Sequence, residues 1–416
     1  TINRKHLEGN LFEVPKLHLD YVLAHFDALA NDAAKSSETM RDDNKRFASL
    51  PKVVKAKLNV DAAKSKAISD KLIGVFFEDI SYAADGGLYA ELVQNRDFEY
   101  TSADHKGWSA ITAWKSNAPI RIATENPLSK NNPHYAVIAA DTLYNEGWDG
   151  IVDRGAAYDF SIYARNISGE KKELCVALVA EDGNVMAEGK LKIVGKEWQR
   201  YTLALNTANK KRTKMYGDKA VNCRLVVAGK KDATVALDMI SLFPHDTYKG
   251  HGLRKDLAEA IAELKPKFVR FPGGCMSHGQ GIDNIYHWNH TIGPWQDRKP
   301  DKNIWNYHQT RGLGFYEYFQ MCEDMGAEPL PVLAAGVPCQ NSRANAEGYG
   351  GQQGGIPMSE MPAYCQEILD MIEWANGDPA TSKWAKMRAD AGHPAPFNLK
   401  YVGVGNEGLI STDFEV

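Results

Sequence analysis

The stretch Tyr401-Val402-Gly403-Val404-Gly405-Asn406-Glu407 decides how the chain is expected to fold. Its apolar residues predict a short buried strand, which ends in an Asn-Glu pair. In a (β/α)8 barrel, the carboxyl ends of the strands carry the catalytic groups. A carboxylic acid there suggests proton transfer, and the neighbouring amide suggests a group that holds a substrate hydroxyl. A Glu in a surface loop is the alternative, but glycines within a strand indicate the close approach of a ligand or another backbone.

Three more strands precede this stretch, and helices separate the later ones. A near-continuous apolar run is typical of a parallel strand buried on both faces. Helix alternating with strand after Pro244 predicts a parallel sheet with right-handed crossovers. We therefore expect an α/β fold with about the first four strands of a (β/α)8 TIM barrel. The other predicted strands lie at 72–80, 267–271 and 329–334, and the predicted helices at 253–264, 315–325 and 359–375.

The segment from 98 to 243 has a different pattern. Phe160, Ile162 and Ala164 alternate with polar residues, and such short strands between turns rich in Gly, Asn and Asp predict a β-sandwich or jelly roll. This sandwich is inserted after the first barrel strand. The expected domains are a helical segment of unknown role at 1–52, first strands at 53–97 (one of them at 54–60), the inserted sandwich at 98–246 and a catalytic half-domain at 247–416.

Composition excludes several classes of function. The 416 residues are 44% hydrophobic with a net charge of −4, so neither nucleic acid nor a membrane surface is expected as partner. No apolar run approaches the ~20 residues of a membrane span. The six cysteines form no CxxC pair and the histidines no His-Glu-x-x-His motif, so we expect no metal and no cofactor. The first residue is Thr1, and we expect a secreted or periplasmic protein, with a cytoplasmic one left open.

The ends of the other strands hold further candidates. Glu78 and Asp79 follow the first strand, and because side chains alternate, one of them should face the barrel mouth. Arg270 could orient carboxylates from the barrel interior or be a buried structural Arg. Gly274 allows the backbone near a ligand. Cys275 is not expected to be a nucleophile, because no evident His and Asn partner set accompanies it.

The long segment after Cys275 is rich in aromatic residues and histidines. Trp288 and Trp295 could stack on the ring of a ligand such as a sugar, although packing is the commoner outcome. His278, His287 and His290 lie in the same segment, but the surrounding Gly and Asn indicate a loop rather than a metal site.

Three stretches together resemble bacterial glycoside hydrolase family 51, the α-L-arabinofuranosidases. The similarity covers roughly residues 54–416, and it is the combination that is specific. Ile292-Gly293-Pro294-Trp295 belongs to it as well. The three stretches are GVFFEDISYAADGGLYAELVQNRDFE at 74–99, LKPKFVRFPGGCMSHG at 264–279 and VGVGNEGLISTDFE at 402–415.

The resemblance implies a (β/α)8 barrel beside a β-sandwich built from both chain ends, which residues 54–62 would begin. It implies that Glu407 is the general acid/base at the end of strand 4, that Asn406 binds the sugar 2-hydroxyl and that Glu78 binds arabinose hydroxyls. Cys275 falls at a substrate-contacting position, where some relatives carry Asn. The inserted sandwich resembles a carbohydrate-binding module. Gly274 and Trp288 complete the expected substrate-binding set, and Arg270 supports it.

The nucleophile implied by the resemblance is a second Glu at the end of strand 7, and that strand is not among these residues. Retaining hydrolysis needs two carboxyl groups about 5–5.5 Å apart. Glu415 is too close in sequence to Glu407 and is expected to open the next helix. We therefore expect the rest of the barrel, with the nucleophile, elsewhere in a longer protein or in another chain.

The resemblance implies a retaining, exo-acting α-L-arabinofuranosidase that removes side groups from arabinoxylan or arabinan by double displacement. Its partners would be arabinose-containing saccharides, and homo-oligomers are left open. Two alternatives remain. One is a carbohydrate-binding protein or inactive fragment, and the other is a different retaining barrel glycosidase such as a β-1,4-glucanase.

Overall fold

The computed structural model describes residues 20, 24, 45, 47–50, 55–168, 172–229, 234–342 and 354–408. By its internal contacts the chain divides into two units, Thr1–Ala67 and Ile68–Val416. The helical segment predicted at 1–52 lies almost wholly outside the described residues. In the first unit, a 3-10 turn at Ala62–Lys64 begins after Asp61, whose side chain accepts a hydrogen bond from the N–H of Ala63.

The strand predicted at 54–60 is wrong for its described part, 55–60. These residues are irregular, and Leu58 and Val60 are 87% and 80% exposed. A strand is stabilised by a paired neighbour and a buried face, and the described part of the first unit offers this segment neither.

Among the described residues, the second unit contains the following strands and α-helices. In chain order the strands are β1 Val75–Phe76, β2 Trp114–Ser116, β3 Arg121–Ala123, β4 Tyr135–Ile138, β5 Thr142–Asn145, β6 Ile151–Asp153, β7 Ala157–Asn166, β8 Lys172–Ala180, β9 Val185–Ile193, β10 Gln199–Asn206, β11 Val221–Gly229, β12 Val235–Pro244, β13 Phe268–Phe271, β14 Asp301–Asn303, β15 Tyr307–Gln309, β16 Glu328–Leu333 and β17 Gly403–Val404. The α-helices are α1 Lys210–Tyr216, α2 Lys255–Glu263, α3 Cys275–His278, α4 Phe315–Met325, α5 Met361–Asn376 and α6 Lys383–Asp390. Short helical turns lie at Ala84–Leu88, Ile282–Asn284, Trp288–Thr291 and Trp295–Asp297.

Strands β1, β13, β16 and β17 form a parallel sheet in that order. Val75 pairs with Val269, and Leu333 pairs with Val404. The sheet confirms the α/β class and the four predicted strands with their order in the chain. Closure of such a sheet into a barrel stays a prediction.

The first strand is shorter than the apolar run at 72–80 predicts. Leu72 and Ile73 are 65% and 62% exposed, so this run is not buried on both faces. Beyond β1 the backbone still follows β13, because the N–H of Phe77 donates to the carbonyl of Arg270 at 2.8 Å. This contact carries the next residue, Glu78, to the carboxyl edge of the sheet.

Helices α2, α4 and α5 precede β13, β16 and β17, as the sequence predicts. Gly326 has a φ of 66° and forms the left-handed cap that ends α4. Phe271 of the sheet stacks on Tyr318 of α4, with ring centroids 4.8 Å apart. Helix α6 was not predicted; its start is marked by Ser382, whose hydroxyl accepts the N–H of Ala385. Within the described ranges, no helix has the length and apolar character needed to cross a membrane.

Between β1 and β13, antiparallel strands form two sheets. One has the order β10-β7-β12-β4-β3, and the other has the order β2-β5-β11-β8-β9, with β6 also paired to β11. Phe160 and Ile162 of β7 and Leu225 and Val227 of β11 are buried in one shared core. This confirms a β-sandwich that lies in the chain between the first two strands of the parallel sheet. The domain boundaries and a jelly-roll topology stay predictions.

After β10 the chain enters a helix, α1, which the sequence pattern did not predict. Asn209 caps it by accepting the N–H of Arg212. The buried guanidinium of Arg212 donates to the carboxylate of Asp153 at 2.9 Å, and this pair fastens the helix to the sandwich.

Candidate active site

The carboxyl ends of three parallel strands bring the predicted site residues together. Arg270 of β13 donates from Nη2 to Oδ1 of Asn406, just beyond β17, at 2.6 Å. The guanidinium also lies 4.3 Å from the ring centroid of Phe76 in β1. Asn406 is buried, and its Nδ2 lies 3.3 Å from Oε2 of Glu407. The predicted supporting role of Arg270 therefore has a geometric basis: it orients the amide beside Glu407.

The turn after β13 carries the glycine that the sequence singles out. A Cβ on Gly274 would lie 3.3 Å from the amide atoms of Asn406 and 3.3 Å from Oε2 of Glu78. A Cβ on the preceding Gly273 would lie 2.8 Å from Cγ of Glu78. The two glycines thus let the backbone pass between Glu78 and Asn406, and a side chain at either position would displace them.

Glu78 faces this turn, and Asp79 faces the other way. Oε1 of Glu78 accepts the N–H of Met276 at 3.2 Å and the indole N–H of Trp305 at 3.3 Å. These contacts leave the half-buried carboxylate at the edge of the site, next to Gly274.

Asp79 is buried within a hydrogen-bonding network. It accepts the side-chain amide of Gln309 at 2.6 Å and the hydroxyl of Tyr307 at 2.9 Å. Burial raises the pKa of Asp79 above its ordinary value, and these hydrogen bonds oppose the shift. Of the two carboxylates after β1, Asp79 therefore has a structural environment and Glu78 lies at the site.

Glu407 is exposed, and neutral groups surround its Oε2. The side-chain amides of Gln340 and Asn406 donate to this oxygen, and the thiol of Cys275 lies 3.8 Å away. The backbone of Glu407 is left-handed, with a φ of 48°, and Gly405 two residues earlier has a φ of 80°. A carboxylic acid in this setting can exchange a proton with a ligand at the sheet edge.

Cys275 begins α3 and is 8% exposed. Its Sγ lies 3.6 Å from Nδ2 of Asn341. Burial, the neighbouring Cys339 and the carboxylate of Glu407 raise the pKa of this thiol to about 12. The thiol therefore stays protonated near neutral pH, and it suits contact with a ligand better than nucleophilic attack.

Trp288 is not at the site, and its predicted role in substrate binding is wrong. It is fully buried, with ring centroids 5.8 Å from Trp374 of α5 and 5.1 Å from Trp384 of α6. Its indole N–H donates to the carbonyl of Glu367 at 2.8 Å. Packing against two helices leaves no face of the ring for a sugar. Trp295 is also engaged in packing, since it stacks on Phe243 with centroids 5.6 Å apart.

The three histidines of this segment do not form one group: the rings of His287 and His290 have centroids 4.9 Å apart, and His278 makes other contacts. His287 pairs with Glu367 at 2.8 Å, whereas His278 lies buried between the backbones of Val337 and Asn406. In the described ranges, no group of three His, Cys, Asp or Glu side chains is arranged to hold a metal ion.

Four residues at or beside the site were missed by the sequence reasoning. Gln340 and Asn341 lie on the loop after β16, so the rule that places functional groups at carboxyl ends of strands could have indicated them. Trp305 lies between β14 and β15, where no periodic signal marks it, and His278 ends α3 and was considered only as a metal ligand.

The family model described as "Alpha-L-arabinofuranosidase 1 domain" matches residues 260–415. An extracellular exo-α-L-arabinofuranosidase of Streptomyces chartreusis is 42% identical over 372 residues, which are 85% of this chain and 42% of that protein. Alpha-L-arabinofuranosidase 1 of Arabidopsis thaliana is 34% identical over 373 residues, which are 84% of this chain and 51% of that protein. A solved structure of the arabinose-bound MgGH51 α-L-arabinofuranosidase is 34% identical with a TM-score of 0.69, and the match covers 81% of this chain and 54% of that one.

These matches, together with the strand-end carboxylates, group this chain with the glycoside hydrolases. Within that class the chain belongs to family 51, the α-L-arabinofuranosidases. It spans about half the length of the curated relatives it matches.

Proposed function

We propose that the protein containing this chain is a retaining, exo-acting α-L-arabinofuranosidase that releases arabinofuranosyl groups from arabinose-containing saccharides, arabinoxylan and arabinan among them. The observation that carries the proposal is the grouping of Glu78, Asn406 and Glu407 around Gly274 at the carboxyl edge of the parallel sheet. The Streptomyces relative is described as exo-acting and the solved relative holds arabinose, which supports the substrate class.

Glu407 is the general acid/base in this proposal. It would protonate the glycosidic oxygen as the bond to the sugar breaks, and would later take a proton from the attacking water. Its exposed carboxyl group at the sheet edge supports this role, because the leaving group and the water must both reach it.

Asn406 and Glu78 would bind the sugar. Because Oδ1 of Asn406 accepts from Arg270, the amide presents Nδ2, a donor, towards Glu407 and an adjacent sugar hydroxyl. Glu78, whose Oε1 accepts hydrogen bonds from the N–H of Met276 and the indole of Trp305, would accept hydrogen bonds from other hydroxyls of the sugar. The donor Nδ2 of Asn406 and the acceptor Oε2 of Glu78 each lie 3.3 Å from the position of a Cβ on Gly274, where a ring carrying several hydroxyls would contact both.

The nucleophile is a separate element of the proposal. Retaining hydrolysis needs a second carboxyl group about 5–5.5 Å from the acid/base. We assign it to no residue of this chain, and propose that it comes from the part of the family's length that the chain does not span.

The test is Glu407→Ala in the full-length protein. We expect turnover of an arabinofuranoside with a poor leaving group to fall by about 10²–10⁴-fold, since protonation of the leaving oxygen is lost. An aryl arabinofuranoside with a good leaving group should lose much less in the glycosylation step, because its oxygen departs without a proton. Equal losses on both substrates would sink the assignment.

A matched control is Glu328→Ala. Glu328 lies at the opposite, amino end of β16 and pairs with Lys71 and Lys400 at 2.7 and 2.9 Å. Its removal should leave the ratio between the two substrates unchanged. Side-by-side aryl glycosides would distinguish arabinofuranosidase from glucanase activity, and binding without turnover would favour a carbohydrate-binding role.

Secretion and the role of the sandwich extend the proposal. The Streptomyces relative is described as extracellular, which supports a secreted location for this protein as well. A saccharide-binding role of the sandwich is a separate prediction, which binding of the isolated polysaccharide to an active-site variant would test.

A further inference from the structure

His278 ends the short helix α3 and is fully buried. Its Nε2 accepts the backbone N–H of Asn406 at 2.7 Å, and its Nδ1 lies 2.6 Å from the backbone carbonyl of Val337. Only one form of imidazole satisfies both contacts: the neutral ring with its proton on Nδ1. Burial lowers the pKa of His278, which favours this neutral form.

The backbone that His278 holds is strained. Gly405 and Glu407 have φ values of 80° and 48° on either side of Asn406. A left-handed conformation is unfavourable for a side chain such as that of Glu407, and it persists where surrounding contacts impose it. Two consecutive amides are fixed here, since the N–H of Gly405 donates to the carbonyl of Leu333 at 2.7 Å and the next N–H donates to His278.

The second contact of the ring reaches the other side of the acid/base. Val337 lies on the loop that carries Gln340, whose amide donates to Glu407. The same loop is fastened to the end of α3, because the N–H of Cys339 donates to the carbonyl of Gly279 at 3.1 Å. One imidazole therefore holds both segments that set the position of the Glu407 carboxyl group.

We propose that His278 is a positioning residue for the acid/base: as a neutral, Nδ1-protonated imidazole it fixes the Asn406–Glu407 turn relative to the 337–341 loop. It touches neither the saccharide nor the reacting atoms, and acts through Asn406 and Val337. This inference deepens the proposed function and rests on it. When the two hydrogen bonds of His278 are lost, the strained turn relaxes and the carboxyl group of Glu407 moves away from the leaving oxygen.

The experiment compares His278→Phe and His278→Gln in the full-length protein. Phe keeps a planar ring without nitrogen, whereas Gln restores an acceptor for the Asn406 N–H. We expect His278→Phe to lower kcat for a poor leaving group by about tenfold to a hundredfold more than for a good one, because small misplacements of a catalytic group have effects of this size. Gln should recover part of that loss. A variant that only lowers the folded fraction would lose activity equally on both substrates.

His287→Phe is the matched control, because His287 lies in the same segment and pairs with Glu367 away from the site. It should lower thermal stability without changing the ratio between the two substrates. Equal losses on both substrates for His278→Phe would overturn the positioning role. If Glu407→Ala also showed no dependence on the leaving group, the proposed function itself would be overturned. If Glu407→Ala showed that dependence and His278→Phe did not, only the inference about His278 would be overturned.

A measurement on the unmodified protein covers the case in which the Phe variant does not fold. Nitrogen-15 NMR distinguishes the two neutral imidazole tautomers from the cation. We expect the neutral, Nδ1-protonated tautomer at neutral pH. It should persist below about pH 6.5, where an ordinary histidine becomes protonated. A cationic ring or an Nε2-protonated ring at neutral pH would overturn the proposal, because neither can accept the Asn406 N–H.

Discussion

Arg270 and Asn406 lie 136 positions apart in the chain and are joined by a 2.6 Å hydrogen bond from Nη2 to Oδ1. The same guanidinium lies 4.3 Å from the ring centroid of Phe76, so one side chain connects the ends of β1, β13 and β17. The bond also decides which end of the Asn406 amide faces Glu407. The site is thus oriented by the sheet before any ligand arrives.

The first prediction concerns this bond. Arg270→Lys should lower kcat/KM for arabinofuranosides by about tenfold or more. The planar guanidinium donates to Asn406 and stacks on Phe76 at the same time, and an ammonium group cannot make both contacts. Steady-state kinetics on the full-length protein would measure the loss. Arg254→Lys, at a half-buried residue paired with the exposed Asp256, is the control and should change little. Wild-type kinetics of Arg270→Lys would contradict the orienting role.

The second prediction concerns Gly274. The methyl group of Gly274→Ala would stand 3.3 Å from Asn406 and from Glu78, closer than ordinary contact, so both side chains must shift. We expect an increase in KM of about tenfold or more, because these two groups bind the sugar in the proposal and a binding group displaced from its ligand loses affinity. Gly281→Ala is the matched control, since a Cβ there has no atom within 4 Å. An unchanged KM in Gly274→Ala would argue against a ligand between Glu78 and Asn406.

The sequence was sufficient for the order of the sheet and for most strand-end residues. Apolar runs bounded by helices indicated the four parallel strands, and the alternation in β7 indicated the sandwich. Glu78, Arg270, Gly274 and Asn406 could be found because parallel strands end at a common edge, so residues distant in the chain meet there.

The remaining errors come from contacts that periodicity does not encode. Trp288 follows a glycine-rich stretch and gives no sign that α5 and α6 enclose its ring, because the sequence pattern did not predict α6. The apolar residues of 54–60 predict a strand, although no described partner pairs with 55–60. His278 was considered only as a metal ligand, since its backbone partners come from loops 59 and 128 residues away.

The third prediction concerns Cys275. Because burial and neighbouring groups raise its pKa to about 12, only about one thiol in 10⁴ is ionised near pH 8. Iodoacetamide should therefore modify it far more slowly than the exposed Cys365. Peptide mapping by mass spectrometry over time would give both rates in one sample. Equal rates would show that Cys275 is neither buried nor held as a thiol.

The fourth prediction concerns Asp85, which is 4% exposed and accepts the N–H of Thr310 at 2.8 Å. Burial, with the neighbouring Asp79, raises its pKa from 3.8 to about 6. The folded protein therefore holds this proton more tightly than the unfolded chain. The resulting stabilisation is fully present below about pH 4 and is lost as the pH rises through about 6.

The shift corresponds to about 3 kcal/mol in the free energy of unfolding across that window. Asp85→Asn removes the titrating group, so its stability should fall less than that of the wild type between pH 4 and 6, as measured by denaturant unfolding at several pH values. Asp246→Asn, at an exposed residue paired with Lys255, should keep the slope of the wild type. If Asp85→Asn kept that slope too, the carboxyl group would not be protonated in the folded protein. Another interaction would then have to offset the free-energy cost of burying its charge beside Asp79.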